Sequence, residues 1–158
     1  FSKRWGISQV SNCENFLRAS LRRFEVGLVH PLYFTVGSEY AGTIRFKRFD
    51  YEHRCLEIGG TWISPRWQRT FVNTEVKLGI FRHCFESLAA NRIEFRTEES
   101  NVPSQKAILR YGAKLEVKMR SRVRLSDGTF ENTLIYSLIN SEWPETKERL
   151  IKMLNFGQ

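Results

Sequence analysis

The sequence predicts a mixed α/β fold of the α+β type, in which helices pack against a partly parallel sheet. Extended stretches rich in β-branched and aromatic residues alternate with amphipathic segments in the order strand, helix, strand, helix, and a hairpin-like pair precedes them. A chain of 158 residues with 41% hydrophobic residues is also the size of one domain with one core. We therefore expect a single domain over residues 1–158.

The first elements follow from local sequence patterns. Residues 15–24 have the spacing of an amphipathic surface helix. Residues 32–36 and 43–49 are extended stretches separated by turn-forming residues, which predicts a hairpin. Residues 55–63 form a further strand that ends before Pro65, because proline lacks the N–H that a sheet requires.

The central part of the chain contains the strongest helix signal. Residues 72–88 have apolar side chains at steps of three and four, namely Val72, Val76, Ile80, Phe81, Cys84, Phe85 and Leu88. Asn91 is a plausible left-handed stop for this helix. Residues 93–97 predict a short strand, and residues 104–111 predict a short helix that Gly112 closes.

The last sheet element is a hairpin around Asp127-Gly128, a strong two-residue turn signal. This turn predicts the pairs Ser126 with Thr129, Leu125 with Phe130, Met119 with Tyr136 and Val117 with Leu138, all but the first on a core-facing side. The other side is basic, with Lys118, Arg120, Arg122 and Arg124, the last opposite Glu131. That basic side is either a solvated edge or a track for an acidic substrate. After Pro144 we expect a terminal helix that packs through Leu150, Ile151 and Leu154.

Composition limits the function classes. Twenty-five basic against seventeen acidic residues give a net charge of +8, which favours anionic partners but is also common in cytosolic proteins. The three cysteines, Cys13, Cys55 and Cys84, lie far apart without a CxxC pair, so we expect neither disulfides nor a metal site. No apolar run approaches the ~20 residues needed to span a bilayer, and no leader sequence is visible. We therefore predict a cytoplasmic protein without membrane contact.

Three motifs in order carry a family resemblance. Residues 56–75 give a strand, a polar loop with Gln68 and a helix that starts with Asn73-Thr74-Glu75, and residues 101–104 read Asn-Val-Pro-Ser. Residues 125–143 complete the pattern from a Leu-Ser-Asp-Gly turn to Glu-Trp. Together these resemble the GNAT superfamily of N-acetyltransferases, and within it the Rim-type (RimJ/RimL-like ribosomal-protein acetyltransferase) branch. The resemblance covers about residues 31–143.

The resemblance implies a central, mixed, mostly antiparallel twisted sheet flanked by helices, with a splayed parallel strand pair at the CoA site. It implies an enzyme that moves acetyl from acetyl-CoA to a primary amine, either a protein N-terminus or a small amine, by direct attack. No metal and no nucleic acid are expected as partners, and a homodimer is left open. The family's opening strand and first helix are expected to be missing or altered before Phe1.

The resemblance also assigns cosubstrate-binding residues. The pyrophosphate is expected at the loop and helix start formed by Gln68, Arg69, Thr70, Phe71, Val72, Asn73 and Thr74, where unpaired N–H groups and the helix dipole attract anions. The pantetheine arm is expected near Ile63, Asn101 and Ser104. Phe71 and Asn73 occupy the positions of the family motif's glycines, which let the backbone approach the phosphates closely. The Phe71 ring either turns outward or closes the site.

Two residues are the candidate acid and base. Glu57 lies eleven residues before Gln68. At this spacing several members of the family carry a carboxylate that accepts the amine proton through water. Its alternative role is that of a surface glutamate or one that pairs within the hairpin. Ser104 matches the hydroxyl that protonates the departing thiolate in Rim-type enzymes, and its alternative role is a helix N-cap. The tyrosine that other members use as acid would fall at Ile108.

Two rival functions remain from the sequence. One is a CoA-binding relative without turnover, which Phe71 favours. The other is a non-catalytic module that uses the basic hairpin face, Arg66 and Arg69 to bind RNA or a ribosomal surface. Phe71 and the net charge favour it, although no RNA-binding motif is present. Stabilisation by acetyl-CoA distinguishes the basic module, which does not bind it, from the enzyme and the CoA-binding relative, which do.

Overall fold

A computed structural model of the chain describes residues 29–155. Within that range a six-stranded sheet has the order β1-β2-β3-β4-β6-β5. The strands are β1 (Val29–Val36), β2 (Glu39–Asp50), β3 (Cys55–Ile63), β4 (Arg92–Glu98), β5 (Lys114–Arg124) and β6 (Phe130–Ile139). The α-helices are α1 (Val72–Arg82), α2 (Val102–Arg110) and α3 (Trp143–Asn155). The helix predicted at residues 15–24 and Cys13 lie outside the described residues.

The sheet is antiparallel except between β3 and β4. These two strands are parallel and pair Cys55 with Arg92, Leu56 with Ile93 and Glu57 with Glu94. The pairing ends there, although both strands continue. The predicted fold class is therefore confirmed, including the mixed sheet with one parallel pair.

One core joins the sheet to all three helices. It contains Ile44, Phe46, Leu56, Ile58, Phe81, Ile93, Phe95, Tyr111, Leu138 and Leu150 among its most buried members. The Phe81 ring packs edge-on against Phe95 and Tyr111, with ring centroids 5.7 and 5.8 Å apart. Aromatic contacts thus fix α1 against β4 and against the end of α2.

α1 differs from its prediction in length and in its buried face. It ends at Arg82 and continues as a π-helical turn over His83–Ser87. The wider turn rotates later side chains, and Leu88 is consequently 49% exposed. The left-handed residue after it is Ala89, with φ of 49°, and not Asn91, whose N–H donates to the Arg54 carbonyl.

α2 begins two residues earlier than predicted because Asn101 is its N-cap. The Asn101 side-chain oxygen accepts the Ser104 N–H at 3.2 Å. The alternative role of Ser104 as N-cap is therefore wrong. Gly112 closes the helix as predicted, with φ of +98°, a value that glycine adopts without strain.

The predicted register of the β5–β6 hairpin is wrong. Arg124 pairs with Phe130 and Met119 with Thr133, so the predicted partners are displaced. Next to the turn the register is one residue off because the loop spans three residues, with the Leu125 N–H donating to the Thr129 carbonyl, and Val123 rather than Arg124 lies opposite Glu131. A bulge at Ser121, which has φ of 48° and donates its N–H to the Asn132 side chain, displaces the pairs beyond it further.

The same displacement changes which side chains are buried. β5 is an edge strand, and most of its residues are exposed on both sides. Val117 is 46% and Phe130 62% exposed, so neither faces the core as predicted. Tyr136 and Leu138 on β6 are buried, because β6 lies between β4 and β5. The terminal helix packs as predicted through Leu150, which is fully buried, and through Leu154, but Ile151 is 37% exposed, so its predicted packing is wrong.

Candidate active site

The candidate site is the opening between β3 and β4. Parallel strands place their carboxyl ends at the same edge, so Ile63 and Glu98 end on the side from which the strands part. Beyond Glu57 the inner edge of β3 has no strand partner among the described residues. Such an edge can pair with an extended ligand that carries amide groups, as in strand addition.

Side chains of the loop between β3 and α1 form hydrogen bonds that fix its conformation. Gln68 donates from its amide nitrogen to the Ile63 carbonyl at 2.9 Å, which ties the loop to the end of β3. Arg69 adopts a left-handed conformation with φ of 61°. The Thr70 hydroxyl accepts the Val72 N–H at 3.3 Å and so caps one amide of the first helical turn.

Phe71 lies at the N-terminus of α1 with its side chain directed outward. Its ring is 46% exposed, and its backbone is right-handed helical with φ of −64° and ψ of −22°. The position therefore does not need the conformational freedom of glycine. Of the two alternatives for Phe71, the outward one matches this exposure.

Asn73 and Thr74 connect the start of α1 to the end of α2. The Asn73 amide nitrogen donates to the Tyr111 hydroxyl at 2.7 Å, and Arg110 donates to the Thr74 hydroxyl at 3.2 Å. Burial raises the pKa of Tyr111, so this phenol stays protonated at neutral pH. The two bonds fix α2 against the first turn of α1.

A cavity of about 750 Å³ lies beside this helix terminus. One wall consists of Arg69, Thr70, Phe71 and Thr74, and Arg110 from α2 adjoins it. The opposite wall comes from α3, with Glu145, Glu148, Arg149, Lys152 and Met153. The residues of α3 were missed by sequence reasoning, although the alternation of charges along that amphipathic helix was a visible signal.

Glu57 occupies the last paired position before the strands part. Its side chain is only 5% exposed and forms ion pairs with Lys47 at 3.2 Å, Arg48 at 2.8 Å and Arg96 at 3.2 Å. Lys47 is also its cross-strand partner in β2. Glu57 is therefore not a surface residue, and its pair with Lys47 matches the hairpin alternative, while its role as a base stays a prediction.

Further charges surround Arg96 on the same face of the sheet. Arg92 and Arg96 both pair with Glu94, at 3.2 and 3.0 Å, and Arg92 also pairs with Glu116. Hydrogen bonds from Arg92 and Ser137 lower the pKa of Glu116 to about 2. This charged cluster holds the cations beside Glu57 in a fixed arrangement.

Asn101 and Ser104 stand together on the first turn of α2, which follows β4 at the open end of the strand pair. The Asn101 oxygen is used by the helix cap, which leaves its amide nitrogen outside that bond. Ile108, the position at which the resemblance would place a tyrosine that acts as the acid, is buried. The Tyr111 hydroxyl accepts a hydrogen bond from Asn73 instead.

Lys77 is a buried charged residue that sequence reasoning missed. Its ammonium group donates to the Thr61 hydroxyl at 2.9 Å, and Thr61 lies on the unpaired part of β3. Burial lowers the pKa of Lys77 to about 7. One signal was visible in the sequence. Lys77 lies three residues after Thr74 and four before Phe81, and the three share the buried face of α1.

Two classes of site are absent from the part of the chain that the structure describes. No group of three His, Cys, Asp or Glu side chains in residues 29–155 is arranged to hold a metal ion. No helix in the same range combines the length and apolar character needed to cross a bilayer.

Comparison with known proteins supports a common fold and sequence family. The family model described as "Acetyltransferase (GNAT) domain" matches residues 4–114. An acetyltransferase crystal structure is 31% identical with a TM-score of 0.85 and covers 96% of this chain and 79% of the other. An acetyltransferase from T. thermophilus is 34% identical with a TM-score of 0.79 and the same coverages, 96% and 79%. A ribosomal-protein-serine acetyltransferase from Vibrio cholerae is 25% identical with a TM-score of 0.69, covering 84% and 76%. A comparison with curated protein sequences found no match.

Proposed function

We propose, from the premise that this chain belongs to the acetyltransferase (GNAT) domain family, that it is a Rim-type N-acetyltransferase. As a member of that family it is an acetyl-CoA-dependent acetyltransferase that acts on an amine. The finer assignment is supported by the Asn101-to-Ser104 motif and by similarity to the Vibrio cholerae enzyme. The acceptor is a primary amine, either a protein N-terminus or a small molecule.

The observation that carries this proposal is the separation of β3 and β4 immediately after Glu57 and Glu94. The gap offers unpaired main chain to a pantetheine arm, and it ends beside the N-terminus of α1. The first amides of α1 and the helix dipole suit a pyrophosphate at Arg69 to Thr74. A single extended cosubstrate can therefore follow both features.

Acetyl transfer forms one bond, breaks another and requires two proton transfers. The amine nitrogen forms a bond to the thioester carbonyl carbon, and the carbon–sulfur bond breaks with its electron pair on sulfur. Glu57 is proposed to accept the amine proton through water, and Ser104 to donate a proton to the thiolate. The rest of the rate enhancement comes from holding amine and thioester in line.

The proposal includes a cytoplasmic location and no nucleic acid partner. The basic residues of β5 that favoured an RNA-binding module, Arg120 and Arg122, lie on an exposed edge strand away from the opening. The net charge of +8 is consistent with an acceptor that carries acidic groups. We leave homodimer formation to direct measurement of mass in solution.

The test has two stages. Acetyl-CoA in excess over its dissociation constant should raise the melting temperature, and free thiol should then appear when peptides with free N-termini or small amines are added. No thermal shift at millimolar acetyl-CoA contradicts the cosubstrate site. A thermal shift without thiol release across both acceptor classes supports the non-catalytic relative instead.

A further inference from the structure

Lys77 is a buried cation that the proposed chemistry does not use. It is 4% exposed, on the face of α1 that also buries Leu78 and Phe81. Within the described residues it forms no ion pair, and its ammonium group donates to the Thr61 hydroxyl at 2.9 Å. Burial lowers the pKa of Lys77 to about 7, which shows that its charged form is costly for the fold. An apolar side chain of similar length would fill the same space without that cost.

Thr61 lies in a segment of β3 that the sheet supports from one side only. The pairing of β3 with β4 ends at Glu57, so the inner edge of residues 58–63 has no strand partner among the described residues. The pairing with β2 also shifts its register in this segment, and Gly60 is left-handed with φ of +59°. The sheet alone therefore fixes this segment less well than it fixes the start of β3.

The bond between Lys77 and Thr61 adds support from outside the sheet. It joins the segment to α1, which is itself well fixed because the Phe81 ring packs against Phe95 and Tyr111. The bond therefore connects the free edge of β3 to a helix that has its own aromatic contacts with the core.

Both parts of the proposed cosubstrate site depend on α1. The pyrophosphate is proposed to bind at residues 69–74, which include the start of this helix, and Lys77 follows about one turn later. The contact of Lys77 with Thr61 thus helps to set the distance between the pyrophosphate site and the free edge of β3. A ligand that extends over both needs this distance to be correct, because a misplacement of about 1 Å can cost up to about a hundredfold in rate.

We propose that Lys77 is a positioning residue for acetyl-CoA, whose bond to Thr61 holds the free edge of β3 where amide groups of the pantetheine arm can pair with it. This inference rests on the acetyl-CoA site proposed above. Lys77 itself does not touch the cosubstrate and acts through the main chain beside Thr61. The lysine thereby lowers the stability of the fold and fixes the binding edge, a compromise that is common at functional sites.

The bond does not require the lysine to be charged, and it can be removed from either side. A neutral amine keeps two N–H groups that can donate to the Thr61 oxygen. Methionine has a flexible chain of similar length without a donor, so Lys77→Met removes the bond and keeps the packing. Thr61→Val removes the acceptor, and Thr61→Ser keeps it.

The experiment compares two ligands by titration calorimetry. One is CoA, and the other is 3′-phospho-ADP, a fragment that has the pyrophosphate but no pantetheine arm. We expect Lys77→Met to weaken the binding of CoA about tenfold and that of the fragment less than about twofold, because only the arm loses aligned hydrogen bonds. Thr61→Val should have the same effect, the double variant should add no further loss, and Thr61→Ser should bind CoA as the wild-type protein does.

Stability measurements on the same variants distinguish positioning from a purely structural role. Lys77→Met should raise the free energy of unfolding, because it removes a buried amine. Thr61→Val should lower it, because it leaves that amine without its partner. A weaker binding of CoA by both variants, despite these opposite changes in stability, is the result expected of positioning. Lys106→Met, on the exposed side of α2, removes the same charge and should bind both ligands normally.

The outcomes that overturn this inference differ from those that overturn the proposed function. Normal CoA binding by both Lys77→Met and Thr61→Val overturns the inference. An equal loss for CoA and the fragment does so as well, because it would indicate a general change of α1. If the wild-type protein binds CoA no more tightly than the fragment, the arm does not pair with β3 and the inference is wrong. If the wild-type protein binds neither ligand, the proposed function fails too.

Discussion

At the scale of single residues, Glu57 has two tasks that mutation must separate. Its carboxylate neutralises Lys47, Arg48 and Arg96, and it stands where the parallel strands part. Removing its charge leaves three cations without their partner, which we expect to lower the free energy of unfolding by roughly 1–3 kcal/mol. Glu94 shares Arg96 on the same face of the sheet and provides a matched comparison.

The first prediction concerns turnover in Glu57 and Ser104 variants. Glu57→Gln should lower kcat by about a hundredfold or more, since positioned proton transfer contributes 10²–10⁴, and leave acetyl-CoA affinity nearly unchanged. Ser104→Ala should lose less if water replaces the acid. Steady-state kinetics with a verified amine acceptor measure both variants. Glu94→Gln should lose stability but keep its turnover, and full turnover in both test variants would contradict the assigned roles.

The second prediction concerns Lys77 and pH. Burial lowers the pKa of Lys77 to about 7, from 10.5 for an ordinary lysine. Between these values the unfolded chain binds more protons, so the free energy of unfolding should rise with pH by up to about 1.4 kcal/mol per pH unit. Below pH 7 the lysine is charged in both states and the full penalty is present. Above pH 9 the slope is opposed, because burial raises the pKa of Cys84 to about 12.

Urea unfolding between pH 7 and pH 9 measures this slope. Lys77→Met should flatten it and raise the free energy of unfolding at pH 7, because no charged form remains to be desolvated. Lys106→Met on the exposed side of α2 removes the same charge without burial and should retain the wild-type slope. An unchanged slope in Lys77→Met would show that the lysine is not the titrating group.

At the scale of elements, the sequence predicts strands well where local residues end them. β3 is found with its observed limits because Pro65 stops it, and β4 follows from a short apolar alternation. The register of β5 and β6 could not be predicted, because the bulge at Ser121 depends on a bond to Asn132 from the opposite strand. Local turn chemistry located this hairpin, but it fixed neither the length of its loop nor the insertion further along β5.

Some residues of the candidate site could also be predicted from the sequence, and others could not. Glu57, Gln68 and Asn101 were identified by motif spacing, and their placement near one opening follows from the parallel strand pair. Lys77 was not identified because an apolar stripe centred on Val76 and Ile80 also fits the sequence. The contacts with the sheet, and not the periodicity of α1, decide which face is buried.

The third prediction compares two glycines in different elements. Gly42 lies on β2, where an added Cβ would come within 2.3 Å of the Trp62 carbonyl oxygen and 2.4 Å of the Phe34 ring. Gly42→Ala should therefore lower the free energy of unfolding by roughly 1–3 kcal/mol or more. Gly79 on α1 has no atom within 4 Å of an added Cβ, so Gly79→Ala should raise it by about 0.5–1 kcal/mol. Urea denaturation measures both, and equal signs would contradict the predicted packing.

At the scale of the whole molecule, the chain after residue 114 completes a sheet that begins before it. β6 pairs with β4 along the whole length of β4, from Arg92 with Ile139 to Glu98 with Thr133. α3 then returns to α1 and adds Trp143 and Leu150 to the core that β2 and β3 begin. The prediction of a single domain therefore requires that these late elements unfold together with the early ones.

The fourth prediction tests that cooperativity through Leu150. This side chain is fully buried and belongs to the same core cluster as Ile44 on β2, far away in sequence. Leu150→Ala should lower the free energy of unfolding by about 2–5 kcal/mol, the usual cost of such a cavity. Because one core links all elements, tryptophan fluorescence and far-UV circular dichroism should still report one coincident transition in urea. Ile151→Ala on the exposed side of α3 should change the stability little. If α3 unfolded before the sheet, the two signals of Leu150→Ala would separate, and the single-domain prediction would be wrong.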